Sequence, residues 1–246
     1  MDSVFVSLKA AFSEERLVGV ATVLGGARMG QKLLLRSDGA VEGDWEPDDL
    51  RSAVVARAKE LLDRQETASF AIRSGTGEEG EEVEVFFESY PPPEKLIIVG
   101  AVHVAIPLVS IASTLGFHTI VVDPRTVYAS RERFPHADEL IVQWPSEALS
   151  QMHLHESTYC VFLTHDPKLD NPALVVALRS KAGYVGALGS RRTHAKRVDA
   201  LAEMGLGTAE IARIHAPIGI PLGGRRPEEI ALSIVAEITA ARYGDA

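Results

Sequence analysis

One short segment of the sequence, Gly189-Ser190-Arg191-Arg192, contains residue types that bind phosphate and other anions. Glycine permits close approach of the backbone, the serine hydroxyl donates a hydrogen bond, and each arginine offers a fork of donors to an oxyanion. The segment follows an apolar run and precedes a stretch with helical character. Because a helix N-terminus also favours negative charge, we expect this segment to form an anion-binding cradle. The alternative is that Arg192 faces outward and is solvated.

A second polar cluster, Thr164, His165 and Asp166, follows an apolar run that has the character of a buried strand. A hydroxyl, an imidazole and a carboxylate in succession suggest nucleophilic catalysis or metal binding as functions to test. A nucleophile needs a base of its own, which makes Thr164 a poor candidate, and the spacing matches no closed metal site. We therefore predict that the cluster contacts a ligand or shapes a loop, and we assign no catalytic or metal-binding residue.

Residues 95–123 follow the outline of a dinucleotide-binding unit, with a strand, a glycine turn, a helix, a second strand and an acid. Gly100 and Ala105 occupy outer positions of the G-x-G-x-x-G/A pattern, but Val102 replaces the central glycine. A β-branched side chain at that position hinders the approach of a pyrophosphate to the backbone. Asp123 ends the second strand, where an acid commonly binds a ribose diol.

Two further residues of this unit are candidate ligand contacts. His103 lies at the start of the predicted helix, where it either bonds a phosphate or only caps and packs. Arg125 suits a bidentate grip on a phosphate, whereas Asp123 has the alternative role of forming a turn or capping a helix. The predicted cofactor-binding residues are Gly100, Ala101, Val102, His103, Asp123, Arg125, Thr164, His165, Asp166, Gly189, Ser190, Arg191 and Arg192.

The elements that must position these residues alternate between strands and helices from residue 94 to residue 246. Such alternation predicts a Rossmann-like parallel sheet with helices on both faces, in which ligands bind outside the carboxyl ends of the strands. The predicted strands are 96–100, 119–123, 139–142, 158–164 and 184–188, and the predicted helices are 104–115, 172–180, 193–204 and 227–243.

The first 90 residues have the pattern of a separate, small α+β domain. Helices are predicted at 3–15 and 47–64, and strands at 17–24, 31–36, 67–72 and 82–88. The three prolines at positions 91–93 form a stiff, extended spacer. The sequence therefore predicts two domains, at residues 1–90 and 94–246.

Composition limits the classes of function. The 246 residues are 46% hydrophobic and 24% charged, which is typical of a soluble α/β protein, and the net charge of −9 argues against a nucleic-acid partner. The sequence has neither an apolar run of ~18 residues for a membrane span nor a basic and apolar secretory signal at its start. Its single cysteine, Cys160, excludes an intrachain disulfide and is expected to be a buried small hydrophobe. We expect a cytoplasmic protein with no nucleic-acid or membrane partner.

A family resemblance extends from about residue 92 to residue 243. The segments that carry it are VGAVHVA (99–105), GFHTIVVDPR (116–125), RFPHAD (133–138), THDPKLD (164–170), YVGALGSRRTHAKR (184–197), RIHAPIG (213–219) and RPEEIALSIVAEI (226–238). In this order they resemble the xanthine dehydrogenase accessory factors of the XdhC/CoxI type. Two departures are Val102, where the family usually has glycine, and a first domain that looks shortened and lacks the family's cysteine-containing segments.

The resemblance implies an accessory protein, more chaperone than enzyme, that binds the molybdenum cofactor (molybdopterin). It further implies sulfuration of that cofactor with a cysteine desulfurase, and its insertion into a molybdenum hydroxylase apo-enzyme such as xanthine dehydrogenase. A pterin with a phosphate tail is an anionic ligand that suits the arginines and helix starts described above.

Two alternative functions remain open from the residues. One is an NAD(P)-binding oxidoreductase or redox sensor that uses the same cleft. The other is a scaffolding protein that acts through the acidic residues between positions 78 and 84. The apolar stripe of the last predicted helix suits a homodimer interface or burial in the core.

Overall fold

The computed structural model describes residues 3–43, 45, 48–74 and 81–244. The predicted helix start at Pro47, and Glu78 and Glu79 of the acidic segment, lie outside the described residues. The chain divides into two compact units, residues 1–92 and residues 93–246. The division falls within the run of three prolines.

The first unit is an antiparallel sheet with a helix packed on each face. Its strands are β1 (Val18–Val23), β2 (Lys32–Arg36), β3 (Val41–Glu42), β4 (Ala68–Ser74) and β5 (Glu81–Tyr90), and its helices are α1 (Ser3–Ser13) and α2 (Asp48–Asp63). The described strands lie in the order β3-β2-β1-β5-β4. Along β1, Val18 and Val20 pack on the side of α1, whereas Ala21 and Val23 pack on the side of α2. This alternation of successive side chains builds an apolar layer on both faces.

The second unit contains the parallel sheet predicted from the sequence. Its strands are β6 (Lys95–Val99), β7 (His118–Val122), β8 (Glu139–Ile141), β9 (Thr158–Phe162), β10 (Tyr184–Ala187) and β11 (Ile214–His215). Its helices are α3 (Ala105–Thr114), α4 (Pro145–Ser150), α5 (Pro167–Arg179), α6 (Arg191–Glu203), α7 (Thr208–Ile211) and α8 (Pro227–Tyr243). The strands lie in the order β11-β10-β9-β6-β7-β8, and every described pair is parallel.

Apolar layers cover both faces of the parallel sheet. In the central strand β6, Leu96 and Ile98 contribute to the core that includes α3 and α8, whereas Ile97 and Val99 contribute to the core that includes α5 and α6. A strand buried on both faces has a continuous apolar sequence, which explains the run that predicted it. The predicted fold class, a Rossmann-like sheet preceded by a small α+β unit, is therefore confirmed. No helix in the described part of the chain has both the length and the apolar character needed to cross a bilayer.

Three predicted helix boundaries were wrong by two residues or more. Helix α1 ends at Ser13 rather than at residue 15. Helix α5 begins at Pro167 rather than at residue 172, because the Asp166 carboxylate accepts a hydrogen bond from the Lys168 backbone N–H and starts the helix earlier. Helix α6 begins at Arg191 rather than at residue 193, because Ser190 caps it in the same way. The short elements β3, α4, α7 and β11 were not predicted, since segments of this length carry little periodicity.

Gly100 allows the end of β6 to approach the end of β9 closely. Its φ is +109°, in the region that favours glycine. A Cβ atom at this position would lie 2.7 Å from Thr164 Cγ2 and 3.1 Å from the Thr164 backbone nitrogen. A side chain at residue 100 would therefore push the two strand ends apart.

Glu237, in the middle of α8, connects this helix to the last two strands. Its Oε2 accepts hydrogen bonds from the Tyr184 hydroxyl and, at 2.7 Å, from the Gly219 backbone N–H. Its Oε1 lies 3.4 Å from His215 Nδ1. Burial opposes ionisation of Glu237, but the hydrogen bonds from His215, Tyr184 and Gly219 together hold its pKa below the ordinary value.

We predict that Gly100→Ala lowers the free energy of unfolding by about 2–4 kcal/mol, through backbone strain and the clash with Thr164. The matched control is Gly116→Ala, at a φ of +87° with no neighbouring atom within 4 Å of the added Cβ. The control has only the strain, which costs about 1–2 kcal/mol. The measurement is equilibrium denaturation of the full chain followed by circular dichroism. Equal losses for the two variants would contradict the close approach of β6 and β9.

We predict that Glu237→Ala destabilises the chain by about 1–3 kcal/mol near neutral pH, because the buried Tyr184 hydroxyl and the Gly219 N–H lose their acceptor. The pKa of Glu237 is lowered on folding, so its contribution is complete above the ordinary value of 4.5 and is lost as the pH falls through the lowered pKa. The gap between wild type and variant should narrow below pH 4.5. Thermal unfolding across this range, with the exposed Glu203→Ala as control, tests both statements; a gap that widens in acid would refute them.

Candidate functional site

The order of the parallel strands creates a crevice between β6 and β9. From β6 the chain runs outward through β7 and β8, and it then returns to the other side of β6 with β9, β10 and β11. A parallel sheet that reverses its winding direction leaves an open space outside the carboxyl ends of the two central strands. The loops after β10, β9, β6 and β7 lie side by side at this edge. Together with the first turn of α6, they contain all of the predicted cofactor-binding residues.

The turn after β6 is held from both sides by neighbouring loops. The Ala101 backbone N–H donates to Asp123 Oδ2 at 2.8 Å, and the Ala101 carbonyl accepts from Arg133 Nη1 at 2.9 Å. Val102 is half-buried and packs against the apolar core of α3 and α8. The peptide at Ala101 is therefore engaged by the protein itself.

His103 lies two residues before α3, which begins at Ala105. Its side chain is exposed and, within the described ranges, forms no hydrogen bond or ion pair. The structure thus places His103 at the crevice edge, without the capping contact considered as one alternative.

Asp123 is completely buried at the end of β7. Its carboxylate accepts the backbone N–H of Arg125 at 2.9 Å, the Arg125 Nε at 2.9 Å and Nη2 at 2.7 Å, in addition to the Ala101 N–H. Burial alone would raise its pKa, but the hydrogen bonds from Arg125 and Ala101 keep the pKa of Asp123 below the ordinary value. In this arrangement Asp123 forms the turn, which is one of the two roles that its position allowed.

The guanidinium of Arg125 is shared between Asp123 and an aromatic ring. It lies 4.5 Å from the centre of the Tyr128 ring, and the guanidinium of Arg133 lies 5.8 Å from the same ring. These cation–π contacts hold both arginines near the Asp123 turn. Arg125 remains partly exposed, with 40% of its side chain accessible.

The cluster Thr164, His165 and Asp166 shapes the loop between β9 and α5. The Thr164 hydroxyl donates to Asp170 Oδ1 at 2.6 Å and accepts from the Asp166 N–H at 3.0 Å. His165 is exposed and has a φ of +60°, which is strained for a residue with a side chain. Asp166 caps α5. Two of these three residues therefore organise the loop, whereas the His165 imidazole is exposed beside the crevice.

The segment after β10 presents two positive charges at the start of a helix. Gly189 has a φ of +142°, and the Ser190 hydroxyl caps α6 by accepting the Thr193 N–H at 3.2 Å. Arg191 and Arg192 lie in the first turn of α6, which has no acidic residue. Both side chains are exposed and have no hydrogen-bond or ion-pair partner among the described residues. Because cations are unfavourable at a helix N-terminus, an anion bound here would relieve that cost.

Sequence reasoning missed the inward-facing residues of this edge. Arg133 fixes the turn after β6, and Arg197 on α6 donates to the Leu188 carbonyl at 3.1 Å while being only 6% exposed. The signal for Arg197 was available, since it lies one helical turn before the buried Leu201. Within the described chain, no three His, Cys, Asp or Glu side chains converge to hold a metal ion.

Comparison with known proteins supports a single family. Residues 96–238, more than half of the chain, match the model of the XdhC Rossmann domain. A protein of Bacillus subtilis, described as a probable subunit of xanthine dehydrogenase, is 33% identical over 158 residues, which are 64% of this chain and 46% of that protein. The molybdenum cofactor insertion chaperone PaoD of Escherichia coli is 37% identical over 99 residues, which are 40% of this chain and 30% of PaoD.

Another Escherichia coli protein, the uncharacterized YqeB, is 26% identical over 219 residues, 86% of this chain and 40% of its own length. The chain thus spans less than half the length of these curated relatives. A crystal structure described as a xanthine dehydrogenase from Bacillus halodurans superposes with a TM-score of 0.56 and 21% identity, covering 100% of this chain and 97% of the other, which is a similarity of fold. The family model matches the residues that build the parallel sheet and the crevice. The chain therefore belongs to the XdhC family.

Proposed function

We propose that this protein binds the molybdenum cofactor and assists its sulfuration and its insertion into a molybdenum hydroxylase such as xanthine dehydrogenase. The observation that carries the proposal is the pair of exposed arginines, Arg191 and Arg192, which have no partner among the described residues and lie at the start of α6 beside the crevice of an XdhC-family fold. The names of two relatives, one an insertion chaperone and one a component of xanthine dehydrogenase, point to the same process.

The proposed cargo is a pterin that bears a phosphate, and the crevice offers groups for an anion. The phosphate would lie at Gly189 and Ser190, within reach of the Arg191 and Arg192 guanidiniums, because the helix dipole and the two positive charges act in the same direction. His103 and His165 are exposed at neighbouring loops and would contact the cargo from the other strand ends.

The remaining predicted contacts take a supporting role in this proposal. Asp123, Thr164 and Asp166 hold the loops, Gly100, Ala101 and Val102 form the turn after β6, and Arg125 stays partly available to the cargo. No residue is assigned to catalysis, which suits a carrier.

The proposed sulfuration step needs a sulfur donor from outside this chain. Cys160 is the single cysteine, it is completely buried in β9, and burial raises the pKa of its thiol to about 12. A thiol that stays protonated and inaccessible does not carry or transfer sulfur. We therefore propose a cysteine desulfurase as the partner that supplies the sulfur. We also propose that this protein acts in the cytoplasm and that its working form is a homodimer.

The comparisons give no support to the NAD(P)-binding alternative. The turn after β6 argues against it as well, because the Ala101 N–H that would face a pyrophosphate is bonded to Asp123.

We predict that the double variant Arg191→Ala/Arg192→Ala retains about tenfold less cofactor than wild type, since charge-assisted hydrogen bonds to a phosphate are lost. Each protein is expressed in a host that makes the cofactor, and molybdenum and pterin are measured in the purified material. The control is Arg179→Ala/Lys181→Ala, which removes two exposed cations at the far end of α5.

Equal retention by the arginine variant and the control would refute the anion cradle. The absence of molybdenum and pterin from wild type as well would refute cofactor binding itself. A titration of wild type with NADH is included, and binding in the micromolar range would restore the NAD(P) alternative.

A further inference from the structure

The described chain has four sheet edges, and three of them are very short strands. The edge strands β3 and β11 have two residues each and β8 has three, whereas β4 has seven. A short edge strand offers few backbone groups to another strand, and this is one way in which proteins avoid pairing between sheets. The edge at β4, Ala68–Ser74, is therefore the exception in this fold.

The sequence of β4 does little to protect its outer edge. The strand contains no proline, and its register with β5 runs without interruption from Ala68 to Ser74, so it has no β-bulge. Arg73 is its single charged residue. Within the described residues β4 pairs with β5 alone, and the side chains of Ser69, Ala71 and Arg73 are exposed. The outer backbone N–H and C=O groups of β4 are therefore available to another strand.

The sheet face opposite α2 carries charges of both signs beside this edge. Glu82 and Glu84 lie on β5, in register with Arg73 and Ala71 of β4, and all four residues are exposed. The two glutamates border a shallow depression together with Ala71 and Ser69. Among the described residues, Arg73, Glu82 and Glu84 have no ion-pair partner. Because Ala71 is small, Glu84 is open to a long side chain that approaches across the edge of the sheet.

The surface that the sequence offered for a homodimer is occupied by the core. The apolar stripe of α8 suited either a dimer interface or burial, and the structure buries it, with Ala231 and Ile234 0% exposed and Ile238 1% exposed. These residues pack in the same core as α3. A homodimer must therefore use another surface, and an open strand edge is one through which two sheets can join.

We propose that β4 pairs antiparallel with β4 of a second copy of this chain, so that the two antiparallel sheets form one continuous sheet. Ile72, which packs on the α2 side, then lies opposite Ile72 of the second copy. One residue further, Arg73 lies opposite Ala71 of the second copy, and Glu84 of that copy lies on the next strand beyond Ala71. A two-fold axis makes the contact between Arg73 and Glu84 twice.

The spacing of strands places these two charges within reach of each other. Neighbouring strands lie about 4.8 Å apart, so the Cβ atoms of Arg73 and of Glu84 in the second copy are separated by about 9.6 Å. An extended arginine and an extended glutamate span this distance above the small side chain of Ala71. The inference rests on the homodimer of the proposed function, and it adds the surface through which the two copies meet.

The interface is tested with the full chain by sedimentation velocity and a charge swap. We expect wild type to be dimeric, and we expect Arg73→Glu and Glu84→Arg each to raise the dimer dissociation constant about tenfold, because each brings like charges together. The double variant Arg73→Glu/Glu84→Arg restores opposite charges and should return the constant to within about threefold of wild type. The control is Lys59→Glu, the same change of charge at an exposed position of α2, which should leave the dimer unchanged. A monomeric wild type, single variants that dimerise like wild type, or a double variant as weak as the single variants overturns the proposal.

A cross-link tests the register without the charges. Ile72→Cys brings two thiols opposite each other, whereas the matched control Ala71→Cys leaves them about 8 Å apart, beyond the reach of a disulfide. The native Cys160 is completely buried and does not compete. With diamide as the oxidant, we expect Ile72→Cys to form a covalent dimer about tenfold faster than Ala71→Cys, measured by non-reducing electrophoresis. Equal rates, or a faster Ala71→Cys, overturn the proposal. A variant that circular dichroism shows to be misfolded is set aside, and the other test then decides.

The interface and cofactor binding fail separately. If wild type purifies with molybdenum and pterin while its oligomeric state does not respond to the charge swap, the interface is wrong and cofactor binding stands. If the charge swap behaves as expected and no molybdenum copurifies, the interface stands and cofactor binding fails.

Discussion

The buried carboxylate of Asp123 is the interaction on which the crevice depends. A fully buried charge is tolerated only when hydrogen bonds surround it, and Asp123 obtains them from the Ala101 N–H and from both the backbone and the guanidinium of Arg125. These bonds join the ends of β6 and β7. Arg133 stabilises the same turn from the other side, because its guanidinium donates a hydrogen bond to the Ala101 carbonyl. The turn that would bind a pyrophosphate in an ordinary dinucleotide fold is therefore part of the internal hydrogen-bond network.

The crevice consequently has two unlike halves. On the side of β6 and β7, the polar groups of Asp123 and Ala101 are satisfied within the protein. On the side of β9 and β10, Arg191 and Arg192 have no partner among the described residues, and Asp170 and Arg197 each keep one open hydrogen-bonding position. The proposed binding chemistry thus lies on the half opposite the glycine turn after β6.

The residues that define the family include both halves of the crevice. The XdhC Rossmann domain covers residues 96–238, which include both halves of the crevice. Val102, which departs from the usual glycine, packs against the core of α3 and α8. The turn that contains Val102 is already closed by the hydrogen bond from the Ala101 N–H to Asp123. The buried Cys160 likewise belongs to the sheet core and not to the site.

Local patterns were enough to predict the parallel sheet and the sheet edge at which segment 189–192 lies, because apolar runs, glycine turns and helix starts depend on residues close in sequence. The early start of α5 was missed because Asp166 and Pro167 look like loop residues until the cap is seen. Only the tertiary structure decided that Asp123 turns inward, that Arg133 reaches Ala101, and that Asp170 and Arg197 meet as a buried ion pair. The physical reason is that the packing of separate elements decides which group pairs with a buried charge. Neither the residue type of the charged side chain nor the spacing of residues in the sequence shows how those elements pack.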